Sequence, residues 1–149
     1  MKKILIILFI FNLSNVNAQE LRIIDGDTIH LNDKKIRFSG IDTPELKQKC
    51  IKNGIKNSCG ITAKKLLTKI IGNNNVDCVS EGQDQYNRIL AECFVNHQSL
   101  SSYLVKSGYA FAYRKYSNKF IVDEDYARTN KLGMWSMQFE YPWDFRKNN

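Results

Sequence analysis

The chain has 149 residues, with 22 lysines and arginines against 15 acids and 43% hydrophobic residues. That supports one domain with one core, and no repeat, low-complexity linker or second domain is visible. The net charge of +7 suits nucleic acid or another polyanion, and equally suits ordinary solubility.

The first segment reads as a leader. Lys2 and Lys3 precede an unbroken apolar run, Ile4 to Phe11, and Val16 and Ala18 stand where a signal peptidase cuts. The run falls far short of the roughly 20 apolar residues that span a bilayer. Cleavage after Ala18 predicts an exported protein, secreted or periplasmic, with no membrane attachment once the leader is gone. Taking 18 residues from 149 leaves a domain over 19–149, and losing two lysines and no acid lowers the charge from +7 to +5.

Strands are predicted over 21–24, 28–31 and 35–41, with Asn32-Asp33 as a turn. Gly40 predicts a bend or a close backbone contact. The lysine-rich stretch 46–58 reads as a loop. Ala63, Leu66, Leu67, Ile70 and Ile71 recur at helical spacing, and Gly72 stops that helix. Further strands are predicted over 76–80 and 88–95, and further helices over 99–107 and 122–131. A helix between the third and fourth of five antiparallel strands suits an α+β fold, a five-stranded Greek-key barrel of OB type with three helices.

Cys50, Cys59, Cys78 and Cys93 are an even set in an exported chain. Of three possible pairings, Cys50–Cys59 and Cys78–Cys93 are preferred because each brackets one local loop. A zinc site is disfavoured by the lack of a C-x-x-C pair and by only two histidines.

The chemistry-bearing residues fall in three blocks. Asp25-Gly26-Asp27-Thr28 offers two carboxylates on one side of an extended segment, or else a hairpin turn whose acids cap amides. Asp42 ends the third strand and can converge with them as a hard-oxygen site for a divalent cation. Glu45 follows a rigid Thr43-Pro44 and can activate water, or sit on the surface as a loop acid. Arg37 and Arg88 can bind phosphate bidentately, or be solvated strand arginines. Taken singly, these residues leave both readings open.

Together they are specific. Asp25-Gly26-Asp27-Thr28, then Arg37 with Asp42-Thr43-Pro44-Glu45, then Asp84, Tyr86, Arg88, Leu90 and Ala91 resemble the staphylococcal nuclease family in order and spacing, over about Leu21 to Trp135. The resemblance implies an OB-like barrel with three helices and Ca²⁺-dependent cleavage of DNA and RNA to 3′-phosphate ends. It assigns one calcium ion to Asp27, Asp42 and the Thr43 carbonyl, and the general base to Glu45. It assigns the scissile phosphate to Arg37 and Arg88 and nucleotide contact to Tyr86. Tyr113 and Tyr116 are candidates to hold a phosphate, with core packing of that aromatic segment as the other reading. The four cysteines depart from the family's staphylococcal type member. Residues 141–146 are expected to form an aromatic clamp without chemistry, and the protein is expected to be a monomer. The rival readings are a non-catalytic OB-type nucleic-acid-binding module and a cationic envelope protein.

Overall fold

A computed structural model describes residues 19–149, and the leader expected over 1–18 lies outside the described residues. β1 (Leu21–Ile23), β2 (Thr28–Leu31) and β3 (Lys34–Phe38) form an antiparallel meander. Asn32 and Asp33 turn β2 into β3 at φ +47° and +64°, a left-handed conformation that Asn and Asp tolerate. Ile29, Leu31, Ile36 and Phe38 face the core.

The strand expected over 35–41 is interrupted at Ser39-Gly40 and resumes as β4 (Ile41–Asp42). Gly40 has φ +70°, and a side chain there would press on Ser117 and Phe120. The expected loop over 46–58 is instead a hairpin of β5 (Lys49–Lys52) and β6 (Ile55–Ser58). Its turn is Asn53-Gly54, with φ +51° and +77°. Asn-Gly is the strongest short-range hairpin signal, and here the surrounding lysines masked it.

α1 (Cys59–Ile71) buries Ala63, Leu67 and Ile71 against the sheet, and the Gly72 amide closes its end on the Thr68 carbonyl. β7 (Asp77–Gln83) and β8 (Ile89–Val95) follow, and β9 (Gln98–Ser99) adds to β8. The sheet runs β1-β2-β3-β8-β7, with β9 as the sixth strand. It is not wholly antiparallel as expected, because β3 and β8 run parallel with Ile36 beside Ile89 and Phe38 beside Ala91. Parallel neighbours need a long crossover, and residues 39–88 supply it. The fold is α+β and of OB type.

α2 (Leu100–Lys106) starts at Ser99, whose hydroxyl accepts the Ser102 N–H, and buries Leu100, Leu104 and Val105. β10 (Phe111–Ala112) pairs with β4, and α3 (Ile121–Thr129) packs beside it. A fully buried Leu or Phe in this core contributes roughly 1.5–3 kcal/mol. A fourth helix, α4 (Pro142–Asn148), joins the three expected ones. Seven residues are too few to show a periodic apolar face, although proline suits the first turn.

A smaller core gathers Cys50, Cys59, Phe111 and Met134 under the aromatic residues 135–143. Phe111 is its hub, with Trp135, Phe139 and Tyr141 centred 5.4, 5.1 and 5.1 Å away. Trp143 stacks on Tyr141 at 4.6 Å and on Tyr113 at 5.6 Å. This is the expected clamp: Gln138 bridges to Ile51 of β5, and Trp143 seats α4 against Phe111 and Tyr113. The structure joins Cys50 to Cys59 and Cys78 to Cys93, each pair bracketing one loop, with Cα separations of 6.0 and 4.1 Å.

Candidate active site

The Asp25-Gly26-Asp27 bend leaves the sheet between β1 and β2 and packs on the segment after β4. Gly26 is required by space, not by backbone conformation: a Cβ would lie 2.9 Å from Thr43 Oγ1 and 3.0 Å from Ala63 Cβ. Asp25 accepts the Asp27 amide at 3.1 Å, so the local capping role is real. Asp27 does more. Its Oδ2 accepts the Thr43 amide at 3.0 Å and hydroxyl at 2.9 Å, while its Oδ1 takes Thr28 Oγ1 and Arg37.

Arg37 lies on β3 opposite Thr28 and bonds both Asp27 and Asp42, the latter at 2.9 Å. One guanidinium therefore binds the two expected metal carboxylates together. Asp27 and Asp42 are almost fully buried. Burial pushes the Asp42 carboxyl upward, against the opposing bond from Arg146. Burial, then the charge of Asp27, raises Asp25 to about 6.

Glu45 follows on an irregular segment held from three directions. Its amide donates to Gln48 Oε1 at 3.1 Å, and its carbonyl accepts the Gln48 amide at 2.7 Å. The first turn of α1 lies hard against it, since a Cβ on Gly60 would fall 1.9 Å from the Glu45 carbonyl oxygen. Its carboxylate is 41% exposed and accepts Arg146 Nη1 at 2.9 Å.

Arg88 arrives from the turn between β7 and β8. Asp84 builds its turn, accepting the Tyr86 and Arg88 amides at 2.9 and 3.0 Å and Arg88 Nε at 2.7 Å. Burial opposes ionisation of Asp84, but these bonds outweigh it and hold the carboxyl below its usual range. The Arg88 guanidinium rests 5.5 Å from the Tyr86 ring centre. Asp27, Arg37, Glu45, Tyr86, Arg88 and Arg146 line one cleft of about 950 Å³. Tyr113 and Tyr116 also line it, their rings 4.9 Å apart, while the neighbouring Phe111 and Ala112 fill the core.

Among the described residues, no three Asp, Glu, His or Cys side chains close on one point as a ready-made metal site. The carboxylates are drawn onto arginines instead. Their chemistry nonetheless fits a hard divalent cation: Asp25, Asp27, Asp42 and Thr43 offer only oxygen donors.

The family model described as "Staphylococcal nuclease homologue" matches residues 35–137, from β3 past α3. The chain belongs to the staphylococcal nuclease family. An uncharacterized endonuclease of Haemophilus influenzae is 29% identical over 91% of this chain and 79% of its own length. Endonuclease YncB of Bacillus subtilis is 33% identical over 81% of this chain. The probable staphylococcal-like nuclease CAN2 of Oryza sativa is 28% identical over 91% of it. The matches span 62% and 36% of the lengths of these last two, so much of each lies outside the likeness.

Two contributors to this family site escaped the sequence reading. Gln48 is fully buried and reads as one polar residue in a basic stretch, with only its distance from Glu45 as a clue. Arg146 donates from Nη2 to Asp42 Oδ2 at 2.7 Å and from Nη1 to Asp42 Oδ1 at 3.1 Å, besides its bond to Glu45. The segment assigned no chemistry thus reaches the two central acids. Nothing local in Trp143-Asp144-Phe145-Arg146 indicates a partner 104 positions earlier.

Proposed function

We propose that the chain is a calcium-dependent, sugar-nonspecific nuclease that acts as an exported monomer on DNA and RNA and leaves 3′-phosphate ends. The observation that carries this reading is the meeting of Asp27, Arg37, Glu45 and Arg88 in one cleft. Endonuclease and nuclease names among its relatives support the same class.

Asp27, Asp42 and Thr43 are the residues to hold the cation. When bound, it supplies charge neutralisation at the scissile phosphate and a place to orient water. Arg37 and Arg88 bind the non-bridging oxygens, where charge grows in the transition state. Glu45 accepts the proton of the attacking water. The water oxygen bonds to phosphorus as the P–O5′ bond breaks, and the 5′-oxygen leaves as an alcohol once protonated. Tyr86 contacts the nucleotide with an exposed ring, within reach of base stacking, and Tyr113 and Tyr116 hold a phosphate.

The test is incubation of the protein with plasmid DNA and with RNA, in Ca²⁺ and in excess chelator, with end analysis of the products. Cleavage of both polymers only in Ca²⁺, leaving 3′-phosphate, is the expected result. Tight binding without cleavage would instead favour a non-catalytic nucleic-acid-binding module.

A further inference from the structure

Two arginines share Asp42, and they are held differently. Arg37 leaves β3 with its side chain 16% exposed and is also tied to Asp27, so it belongs to the body of the site. Arg146 leaves α4 with its side chain 38% exposed. Its guanidinium bridges Asp42 and Glu45 through three hydrogen bonds of 2.7–3.1 Å. With Arg37 on Oδ1 and Arg146 on both oxygens, neither Asp42 oxygen is without a cationic donor. The Asp42 side chain is 1% exposed, so water contributes almost nothing to its solvation.

We infer that Arg146 is a resident counter-cation of the Asp42–Glu45 pair, and that a divalent ion must displace it to take Asp42 as a ligand. The inference rests on the reading of Asp42 as a metal carboxylate. A divalent ion on Asp42 would add its charge to a carboxylate that already carries Arg37 and Arg146, and the repulsion is strong at the low effective dielectric of a cleft. The flexible, partly exposed arginine is the one that can withdraw, and α4 stays seated through Trp143 and Tyr141 when it does. The metal affinity of the protein is accordingly set below what its carboxylates alone would give.

The experiment is calorimetric titration of the purified protein with CaCl₂, without nucleic acid, for wild type, R146Q and R146K. R146Q should bind Ca²⁺ about tenfold more tightly than wild type or better, because the competing charge is gone. R146K should shift the same way by less, because one ammonium cannot hold both carboxylates in a fork. Ca²⁺ binding by R146Q that is equal to or weaker than wild type overturns the inference. If R146Q does not fold by circular dichroism, R146K decides it: tighter binding supports the competition and unchanged binding ends it. If wild type cleaves DNA in Ca²⁺ while neither variant binds the ion more tightly, the inference alone fails. If no form binds Ca²⁺ and none cleaves, the reading of the site fails and the inference with it.

Discussion

The side-chain amide of Gln48 donates to the backbone carbonyl of Glu140 at 2.6 Å, joining residues 92 positions apart. The same side chain accepts the Glu45 amide, so the approach of the C-terminal segment and the pose of Glu45 are set by one buried group. Gln48→Leu keeps the volume but orphans both backbone partners. It should cost about 1–3 kcal/mol in urea unfolding and lower kcat more than KM. A variant with wild-type stability and turnover would remove Gln48 from this role.

Glu45→Gln keeps the shape of the side chain and loses its basicity. Turnover should fall by about 10²-fold or more. Arg88→Lys should also be damaging, because an ammonium cannot reproduce a bidentate fork on phosphate. Single-turnover rates on a short oligonucleotide measure both.

The crowding at Gly60 predicts a structural lesion with a functional readout. In Gly60→Ala the new Cβ meets the Glu45 carbonyl, a backbone group that cannot swing aside. Either α1 shifts or the Glu45 segment does, at a cost of about 1–3 kcal/mol. Thermal unfolding should show the loss, and activity should fall further than stability explains.

Asp25 predicts a pH dependence in the metal-free protein. Its folded pKa is raised to about 6 from 3.8, chiefly by burial. The folded state therefore holds this proton more tightly than the unfolded chain. Its contribution is full below the unfolded pKa and is lost as pH rises through about 6. The loss is at most about 3 kcal/mol. Urea unfolding in chelator at pH 4.5 and pH 7 should show wild type losing more stability over that interval than Asp25→Asn. Parallel pH profiles for the two proteins would contradict the assignment.

Each disulfide closes a short loop, with sequence separations of 9 and 15. Replacing Cys78 and Cys93 by alanine should lower stability by about 3 kcal/mol, mostly through greater freedom of the unfolded chain. Arg88 lies inside that loop, so activity should fall as well. Replacing Cys50 and Cys59 should loosen the small aromatic core and, through it, the seat of α4.

Some of this was legible from the chain. Apolar alternation located the long strands, and the spacing of Ala63, Leu67 and Ile71 located α1, because each pattern reports one buried face. Asp27, Arg37 and Asp42 were readable as a group only through the resemblance of their two neighbouring blocks, with the third, to one family. The parallel β3–β8 register was not readable: periodicity reports which face is buried and not which neighbour lies alongside. The β5–β6 hairpin was missed because lysines with long solvated stems hid its alternation, although Asn53-Gly54 announced the turn. Arg146 was invisible for a different reason. Its partners are set by how the aromatic residues 135–143 fold back over Phe111, and no local signal encodes that distance.

The order in which these parts occur along the chain has a consequence for synthesis. Asp27, Asp42 and Glu45 emerge from the ribosome first, Arg88 some forty residues after Glu45, and Glu140 and Arg146 about a hundred residues after it. The parallel ladder cannot form until β8 has been made, and the Gln48 side chain that holds Glu45 lacks its carbonyl partner until Glu140 exists. Long-range contacts of this kind form slowly and late. A nascent or interrupted chain therefore carries the acids without the finished geometry of the cleft, which is complete only once Glu140 and Arg146 have been made.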